Sequence, residues 1–384
     1  MTRLTLVDFR SYERVDLGFS PGVNVFVGRN GQGKTNLVEA IEYLGTLRSH
    51  RVASDAPLIR MGAGQAVVRA RVQAGIDDER TLDLEIVINS GRANSASLNR
   101  SPLRRPRDLL GALRVVLFAP DDLVLIKGDP GERRRYLDDL VIQRWPRMAG
   151  VKADYEKVVR QRSVLLKSLA GRRGRIDESS WATLDVWDHQ LASLGAELVH
   201  ARMTTLSDLA EPFAQAYLAI APTNNVAGVA YRSSSLGLDP EPGECTPAAD
   251  DVDVLLGKLL ARMRERRSEE VARGACLVGP HRDDVLISLG GLPAKGYASH
   301  GESWSLALSL RLASYSVLRG DGVEPVLILD DVFAELDEVR RERLAERVKD
   351  ADQLFITAAV ESDVPELLGG RTFEVARGEV GARE

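Results

Sequence analysis

A glycine-rich loop near the start of the chain constrains the fold more than any other feature. Its sequence, GRNGQGKT, fits the pattern G-x-x-x-x-G-K-[ST] at every position. An apolar run, Val23–Val27, precedes the loop, and apolar residues at helical spacing follow it, which is the strand–loop–helix context that this pattern requires. The loop therefore predicts a phosphate-binding site made of Gly28, Arg29, Asn30, Gly31, Gln32, Gly33, Lys34 and Thr35.

The residue types in this loop match the chemistry of a nucleoside triphosphate. Glycines allow backbone N–H groups to turn inward around the β- and γ-phosphates, and the N-terminus of the following helix adds its positive dipole. Lys34 supplies a positive charge to the phosphates, and the hydroxyl of Thr35 is a suitable ligand for Mg²⁺. The loop therefore predicts a nucleoside triphosphate with Mg²⁺.

A loop of this kind needs a second, acidic partner for the metal, and residues 326–331 supply it. The apolar run 326–329 ends in Asp330 and Asp331. Carboxylates at the end of a core strand are costly unless they meet a cation or a hydrogen-bond donor. We expect Asp330 to bind Mg²⁺, directly or through water, and Asp331 to be the catalytic residue that polarises the attacking water.

The distance between these two elements in the sequence indicates the class of nucleotide-binding protein. Small GTPases and nucleotide kinases place them much closer together, and no N-K-x-D guanine-reading tetrad occurs in this chain. A large separation filled by helical segments resembles the ABC-type ATPase heads of the SMC and RecF group. This resemblance to ABC-type ATPases implies that the nucleotide is ATP. The predicted fold is an α/β, P-loop ABC-type ATPase head at residues 1–119 and 273–384, with an inserted helical lid or arm at 120–272.

Two segments with apolar residues at three- and four-residue steps predict the helices of this insertion. The first spans about residues 132–169, and we expect Pro146 to kink this helix or to break it in two. The second spans about residues 180–220. A polar tip at 171–175 joins them, so we expect an antiparallel helical pair.

A third element expected of an ABC-type head is a signature loop before the acidic strand. The sequence SHGES at 299–303 resembles the S-x-G-[QE] core of that signature. Ser299, Gly301 and Glu302 would then contact the ATP of another subunit, which implies an ATP-dependent homodimer. Asp337 lies in a segment that resembles the D-loop of that interface. The segment at 299–303 also fits the N-cap of an ordinary helix, and both interpretations of it stay open at this point.

Three further segments resemble motifs of the RecF recombination-mediator family. They are PDDLVLIKGDPGERRRYLD at 120–138, GPHRDD at 279–284 and LRSHR at 47–51. The first is long and specific. With the nucleotide motifs, the three segments are distributed from the N-terminal strands to the C-terminal part of the head, so the resemblance extends over essentially the whole chain. A structural alternative exists for 281–284, where a histidine, an arginine and two aspartates also fit an ion-paired corner.

Resemblance to this family implies a function in DNA replication and recombinational repair. A family member would bind DNA in an ATP-dependent way at single-strand gaps or at junctions of single and double strands. It would act with RecO and RecR to help load RecA. Its weak ATPase would time the release of the dimer.

Charge is distributed unevenly along the chain. The formal net charge is −5, from 51 basic and 56 acidic side chains, which excludes a uniformly basic nucleic-acid-binding protein. Residues 92–175 contain 20 Lys and Arg against 9 Asp and Glu, a local excess of about +11. We expect DNA phosphates to contact this block, which includes Arg104, Arg105, Arg107, Arg133, Arg134, Arg135 and the arginines of the tip. A solvated helical surface is the alternative explanation.

Cysteine content and hydropathy predict a cytoplasmic protein without a membrane partner. Cys245 and Cys276 are too few for a disulfide framework or a four-ligand zinc site. No apolar run approaches the roughly 18–20 residues of a transmembrane helix.

Two alternative functions remain to be compared with the RecF-like one. An SMC-like structural DNA tether needs a longer heptad-repeat arm, and a subunit of another ABC-type ATPase, such as a transporter, needs a surface for a membrane partner.

Overall fold

The computed structural model describes residues 1–75, 78–170, 177–221 and 225–383. The chain divides into two compact units, and three of the four boundaries between them fall within helices. The first unit comprises Met1–Leu123, Ala216–Pro222 and Trp304–Glu384, and the second comprises Val124–Gln215 and Thr223–Ser303.

A mostly parallel sheet forms the centre of the first unit. Its described strands are β3 (Gly22–Val27), β8 (Val115–Phe118), β12 (Val326–Asp330), β13 (Gln353–Ala358), β14 (Arg371–Ala376) and β15 (Glu379–Ala382). Their order is β15-β14-β3-β13-β12-β8, and only the β14–β15 pairing among these strands is antiparallel. Since parallel strands end at the same edge of a sheet, β3 and β12 deliver the phosphate loop and Asp330 to one edge, with β13 between them.

The second sheet of this unit is antiparallel. Its described strands are β1 (Arg3–Phe9), β2 (Tyr12–Gly18), β4 (Gln65–Gly75), β5 (Asp78–Asn89), β6 (Ser95–Leu98) and β7 (Ser101–Pro102), in the order β2-β1-β4-β5-β6-β7. Leu4, Leu6 and Val68 are fully buried. Arg3 and Arg69, at alternate positions of the same strands, are exposed. The alternation gives the sheet one face in the core and one charged face in solvent.

Helices complete the α/β class that the sequence predicts, and this prediction is confirmed. They are α1 (Lys34–Thr46), α2 (Leu123–Lys127), α3 (Pro130–Arg144), α4 (Met148–Ala170), α5 (Glu178–Ile220), α6 (Val252–Arg273), α7 (Ala294–Tyr297), α8 (His300–Gly320) and α9 (Glu338–Val348). Leu37, Ile41 and Leu44 of α1 are buried, as their spacing requires. Within the described ranges, no helix has both the length and the apolar character needed to cross a membrane.

The second unit contains the expected antiparallel helical pair. Arg162 of α4 donates to Asp188 of α5 at 2.7 Å, and Leu166 packs in one cluster with Leu184. Residue numbers that increase along α4 thus pair with residue numbers that decrease along α5, so the two helices are antiparallel. Pro146 separates α3 from α4, as predicted. The polar tip predicted at 171–175 lies outside the described residues.

The second unit extends beyond residue 272, where the sequence places the end of the insertion. Strands β9 (Ala227–Arg232), β10 (Asp284–Leu289) and β11 (Leu292–Pro293) form a three-stranded antiparallel sheet, ordered β11-β10-β9. Pairing between β9 and β10 groups residues 273–303 with the helical unit. Paired residues of β9 and β10 are 52 to 62 positions apart in the chain. Such pairing leaves no local pattern in the sequence, so this boundary could not be predicted from it.

Two of the motif segments meet in this unit, and their contacts are structural. Arg133 donates to both carboxylate oxygens of Asp284, at 2.8 and 2.9 Å, and only 8% of its side chain is exposed. Arg134 donates to the backbone carbonyl of Asp283 at 2.6 Å. The contacts of 281–284 are therefore structural, but the ion pair joins Asp284 to Arg133, and Arg282 donates to the carbonyl of Cys276. The predicted role of Arg133 as a phosphate contact is contradicted, because its guanidinium is buried and already engaged.

His281 gives the stability of this protein a defined pH dependence. Its Nδ1 lies 2.7 Å from the hydroxyl of Tyr155, and its Nε2 lies 3.3 Å from the carbonyl of Cys276. A neutral ring, protonated on Nε2, satisfies both contacts. Burial lowers the pKa of His281 to about 4. The unfolded chain therefore binds a proton more readily between pH 4 and 6.5, so the free energy of unfolding falls on acidification across this window, by roughly 3 kcal/mol at most.

Urea unfolding at pH 4.5 and pH 7 checks this prediction. The His281→Gln variant keeps a polar side chain but cannot titrate, so it is expected to lose less stability between the two pH values than the wild type. Equal losses in both proteins would contradict the assignment, because other groups would then account for the pH effect.

Candidate nucleotide-binding site

The phosphate loop connects β3 to α1, and its glycines are required by local geometry. Gly31 and Gly33 have positive φ angles of 79° and 114°, which side-chain-bearing residues rarely adopt. A Cβ atom on Gly28 would lie 2.2 Å from the carbonyl oxygen of Val375 on β14. The loop is thus fixed by its own backbone and by the neighbouring strand.

Lys34 lies inside this loop. Its side chain is buried, and Nζ donates to the carbonyl of Gly28 at 2.7 Å, with Asn30 Oδ1 at 3.4 Å and the carbonyl of Arg29 at 3.5 Å. These acceptors hold the ammonium over the loop, where it can neutralise phosphate charge. Arg29 and Asn30 are exposed at the loop surface. Gln32 has a structural contact, since its Oε1 accepts from the backbone N–H of Arg377 at 2.7 Å.

Thr35 and Asp330 meet although 295 residues separate them. The hydroxyl of Thr35 lies 3.2 Å from Oδ1 of Asp330. The hydroxyl of Thr357, on β13, donates to the same Oδ1 at 2.6 Å and accepts from the backbone N–H of Asp331 at 2.9 Å. The structure therefore brings both predicted metal-binding residues together, and Thr357 orients the acidic pair.

The electrostatics of this pair favour a cation. Burial raises the pKa of Asp330 above its ordinary value, and the charge of Asp331 adds to this effect. Hydrogen bonds from Thr357 and Thr35 and the charge of His50 oppose it. Burial also raises the pKa of Asp331, against the charge of the loop lysine. A divalent cation would stabilise the ionised form of both carboxylates.

The donor set fits Mg²⁺. Thr35 and Asp330 offer hard oxygen ligands, and Mg²⁺ commonly binds one or two protein oxygens together with waters and substrate phosphates. Within the described parts of the chain, no group of three or more His, Cys, Asp or Glu side chains is placed to hold a metal ion. The proposed Mg²⁺ would therefore need waters and nucleotide phosphates as further ligands.

Asp331, the predicted catalytic residue, has an unusual backbone conformation. It follows β12 directly, with a φ angle of +51°, and its side chain is partly buried. Aspartate and asparagine tolerate this left-handed region better than most residues. The turn places Asp331 at the carboxyl edge of the sheet, beside the loop.

The sequence did not reveal an ionic network that links α1 to Arg10 and to the segment 47–51. Glu39 is fully buried. It accepts from Arg10 at 2.8 and 2.5 Å and from the hydroxyl of Ser49 at 2.5 Å. His50 Nδ1 lies 2.6 Å from Glu42 Oε2. The segment 47–51, noted in sequence only through its family resemblance, is thereby fixed to the helix that follows the phosphate loop.

The predicted signature loop begins α8 as a capping box. Ser299 Oγ accepts from the backbone N–H of Glu302 at 3.3 Å, and the Glu302 carboxylate accepts from the N–H of Ser299 at 2.8 Å. Gly301 lies in the first turn of the helix. The N-cap interpretation is confirmed, and the contact with a second subunit's nucleotide stays a prediction. These residues belong to the second unit, whereas the phosphate loop belongs to the first.

Asp337 also caps a helix. It is the N-cap of α9 and accepts from the backbone N–H of Arg340 at 2.9 Å and from its guanidinium at 2.6 Å. About half of its side chain remains exposed. Its predicted place in a dimer interface is compatible with this exposure and stays a prediction.

Comparison with known proteins gives the family of the chain. Residues 1–374 match the family model described as RecF/RecN/SMC N terminal domain. The chain is 55% identical over 385 residues to the DNA replication and repair protein RecF of Cutibacterium acnes, covering 99% of this chain and 98% of that protein. It is 56% identical over 379 residues to the protein of the same name from Kineococcus radiotolerans, covering 96% and 95%. The chain belongs to the RecF family.

Solved structures agree with this membership. The structure of "the recombination mediator protein RecF-ATP in RecFOR pathway" matches with a TM-score of 0.88 at 28% identity, covering all of this chain and 97% of that one. The corresponding RecF-ATPrS structure gives 0.87 at 28% identity, covering 99% and 97%. An Smc head from Pyrococcus furiosus, bound to the C-terminal domain of ScpA, gives 0.53 at 17% identity, covering 99% and 95%, and shows likeness of fold alone. The predicted ABC-type head and the RecF resemblance are both confirmed.

Proposed function

We propose that this protein acts in DNA replication and repair as an ATPase whose bound nucleotide controls its binding to DNA. The observation that carries the proposal is the contact of Thr35 with Asp330 beside the buried Lys34, a geometry suited to a triphosphate and its metal. Family membership supplies the DNA function, since the curated relatives are DNA replication and repair proteins. Solved relatives are described as RecF-ATP and RecF-ATPrS, which supports ATP as the nucleotide.

In the proposed reaction each side chain has one task. Lys34 neutralises the phosphates that the loop N–H groups bind. Thr35 and Asp330 would hold Mg²⁺, which when bound would offset the charge that develops on the transferred phosphate. Asp331 orients and polarises water, and Thr357 keeps both aspartates in place. Ser299, Gly301, Glu302 and Asp337 would complete the site of a second copy, so ATP would favour a homodimer and weak hydrolysis would release it.

Family membership is the basis for the proposed cellular role. The protein would act in the cytoplasm at single-strand gaps or single-/double-strand junctions, with RecO and RecR, and would help to load RecA. The tether alternative is disfavoured because the longest arm helix has 43 residues, about 65 Å, far shorter than a structural tether. The other alternative, a membrane-coupled ABC subunit, would be supported by co-fractionation of the protein with membranes.

Light scattering and DNA binding, each with ATP and Mg²⁺, test this proposal. We expect a monomer without nucleotide or with ADP, and a dimer that binds DNA at least tenfold more tightly with ATP. A protein that stays monomeric with ATP, or binds DNA equally well in its absence, would contradict the mechanism. Salt concentration must be held constant, because phosphate contacts depend strongly on it.

A further inference from the structure

The solvent face of the antiparallel sheet carries a groove with several arginines. It has a volume of about 560 Å³ and crosses strands β1, β4, β5 and β6. Thr5 and Ser97 contribute neutral polar groups to its floor. The charged residues that line it are Arg3, Arg69, Arg71, Arg100, Asp83 and Glu85. Guanidinium groups therefore outnumber carboxylates in the groove by four to two.

Strand register places like charges next to each other in this groove. Arg3 on β1 is the direct cross-strand partner of Arg71 on β4, which puts their Cα atoms about 5 Å apart. Arg69 lies two residues along β4, on the same face, about 7 Å away. Directly opposed like charges destabilise a sheet. Two carboxylates, Asp16 beside Arg3 and Asp83 beside Arg71, offset part of this repulsion. An anionic ligand between the arginines would offset more of it.

Neighbouring carboxylates hold the arginines in place without burying them. Arg71 donates to Asp83 at 2.8 Å, and Arg69 pairs with Glu85. About half of each arginine side chain stays exposed, 47% and 51%. Exposed pairs of this kind contribute little to stability, so their guanidinium groups remain able to donate to a second acceptor. The hydrogen bond from Arg71 and the charge of Arg100 both lower the pKa of Asp83.

We propose that this face binds the phosphate backbone of duplex DNA. The inference rests on the proposed function and gives its DNA contact a location. Charge complementarity selects the occupant, because arginines on a rigid sheet match phosphate oxygens. The groove is open, and four strands span about 14 Å, which suits an extended polyanion better than a single nucleotide. Contacts to phosphates carry no sequence preference.

The groove also connects to part of the predicted basic block. Pro102 lines the groove, and the exposed Arg104 and Arg105 follow it immediately in the chain. Arg133, by contrast, is engaged by Asp284. The structure therefore favours the β-sheet end of that block over its helical end as the DNA contact.

Duplex DNA binding by the Arg69→Gln, Arg71→Gln double variant, measured with ATP at several salt concentrations, tests the inference. We expect affinity to fall at least tenfold and the slope of log affinity against log salt to decrease by about 2, since each phosphate contact contributes about 0.9. The Arg69→Lys, Arg71→Lys variant keeps the charges and should retain most of the slope. The Arg262→Gln, Arg266→Gln variant removes two arginines of α6 that pair with Glu265 and Glu269, and should bind like the wild type.

A second variant separates DNA contact from damage to the fold. Asp83→Asn removes a negative charge from the groove, so it is expected to raise affinity for the duplex, an effect that unfolding cannot produce. If the wild type binds the duplex with ATP, and the double variant binds with the same affinity and salt slope, the groove is not the contact and this inference fails alone. If the wild type binds no DNA with ATP, the proposed function fails, and the inference fails with it.

Discussion

Replacing Lys34 by alanine is expected to abolish ATP binding at ordinary nucleotide concentrations. The side chain is 3% exposed, and its ammonium is held over the loop by the carbonyl of Gly28. The variant loses charge-assisted hydrogen bonds to phosphate, each worth about 1.5–3 kcal/mol. Two such bonds correspond to a loss of affinity of at least about 100-fold. Titration calorimetry with a slowly hydrolysed ATP analogue measures it.

A matched control comes from the same loop. Arg29 contacts Lys34 through its backbone carbonyl, which alanine also has, and the residue is exposed. Arg29→Ala should therefore bind ATP within a few-fold of the wild type. If the Lys34 variant retained wild-type affinity, the loop would not be the nucleotide site. If both variants lost binding together, general damage to the loop would be the better explanation.

Replacing Asp331 by asparagine is expected to leave ATP binding intact and to slow hydrolysis about 100-fold or more. An amide cannot accept the proton of the attacking water, and loss of such a group typically reduces a rate by 10²–10⁴. Asparagine readily adopts the positive φ of +51° found here, so the turn and its N–H bond to Thr357 should survive. ATP should therefore hold the variant in a long-lived dimer.

Single-turnover hydrolysis and light scattering check this outcome on one sample. Asp350→Asn, at an exposed position after α9, is the control and should hydrolyse ATP normally. Normal hydrolysis by the Asp331 variant would remove this residue from its catalytic role. Slow hydrolysis without dimer accumulation would show that ATP does not hold two copies together.

Local patterns in the sequence identified the parts of the site that lie close together in the chain. The loop at 28–35 and the apolar strand before Asp330 are each complete within a few residues. The capping box formed by Ser299 and Glu302 is also complete within a few residues. The signature segment could therefore be located from sequence, but a local pattern could not decide whether it also contacts a second subunit's nucleotide.

Features that depend on distant partners were not predictable in this way. Thr357 acquires its role only because β13 lies beside β12 and pairs Thr357 with Asp330. Glu39 requires Arg10, 29 residues earlier, to be stable in the core. Arg133 looked like a surface cation in a basic block, and only the position of β10 shows that Asp284 engages it. In each case spatial neighbours, and not sequence neighbours, determine the chemistry.

The order of strands in the central sheet has a consequence for biosynthesis. β3 pairs directly with β13 and β14, so strands from the two ends of the chain lie side by side. Asp330, Asp331 and Thr357 are translated at least 295 residues after Thr35. A nascent or prematurely terminated polypeptide therefore carries the phosphate loop without its acidic partners. The site is therefore assembled only after residues as far as Thr357 have been translated and β12 and β13 have paired.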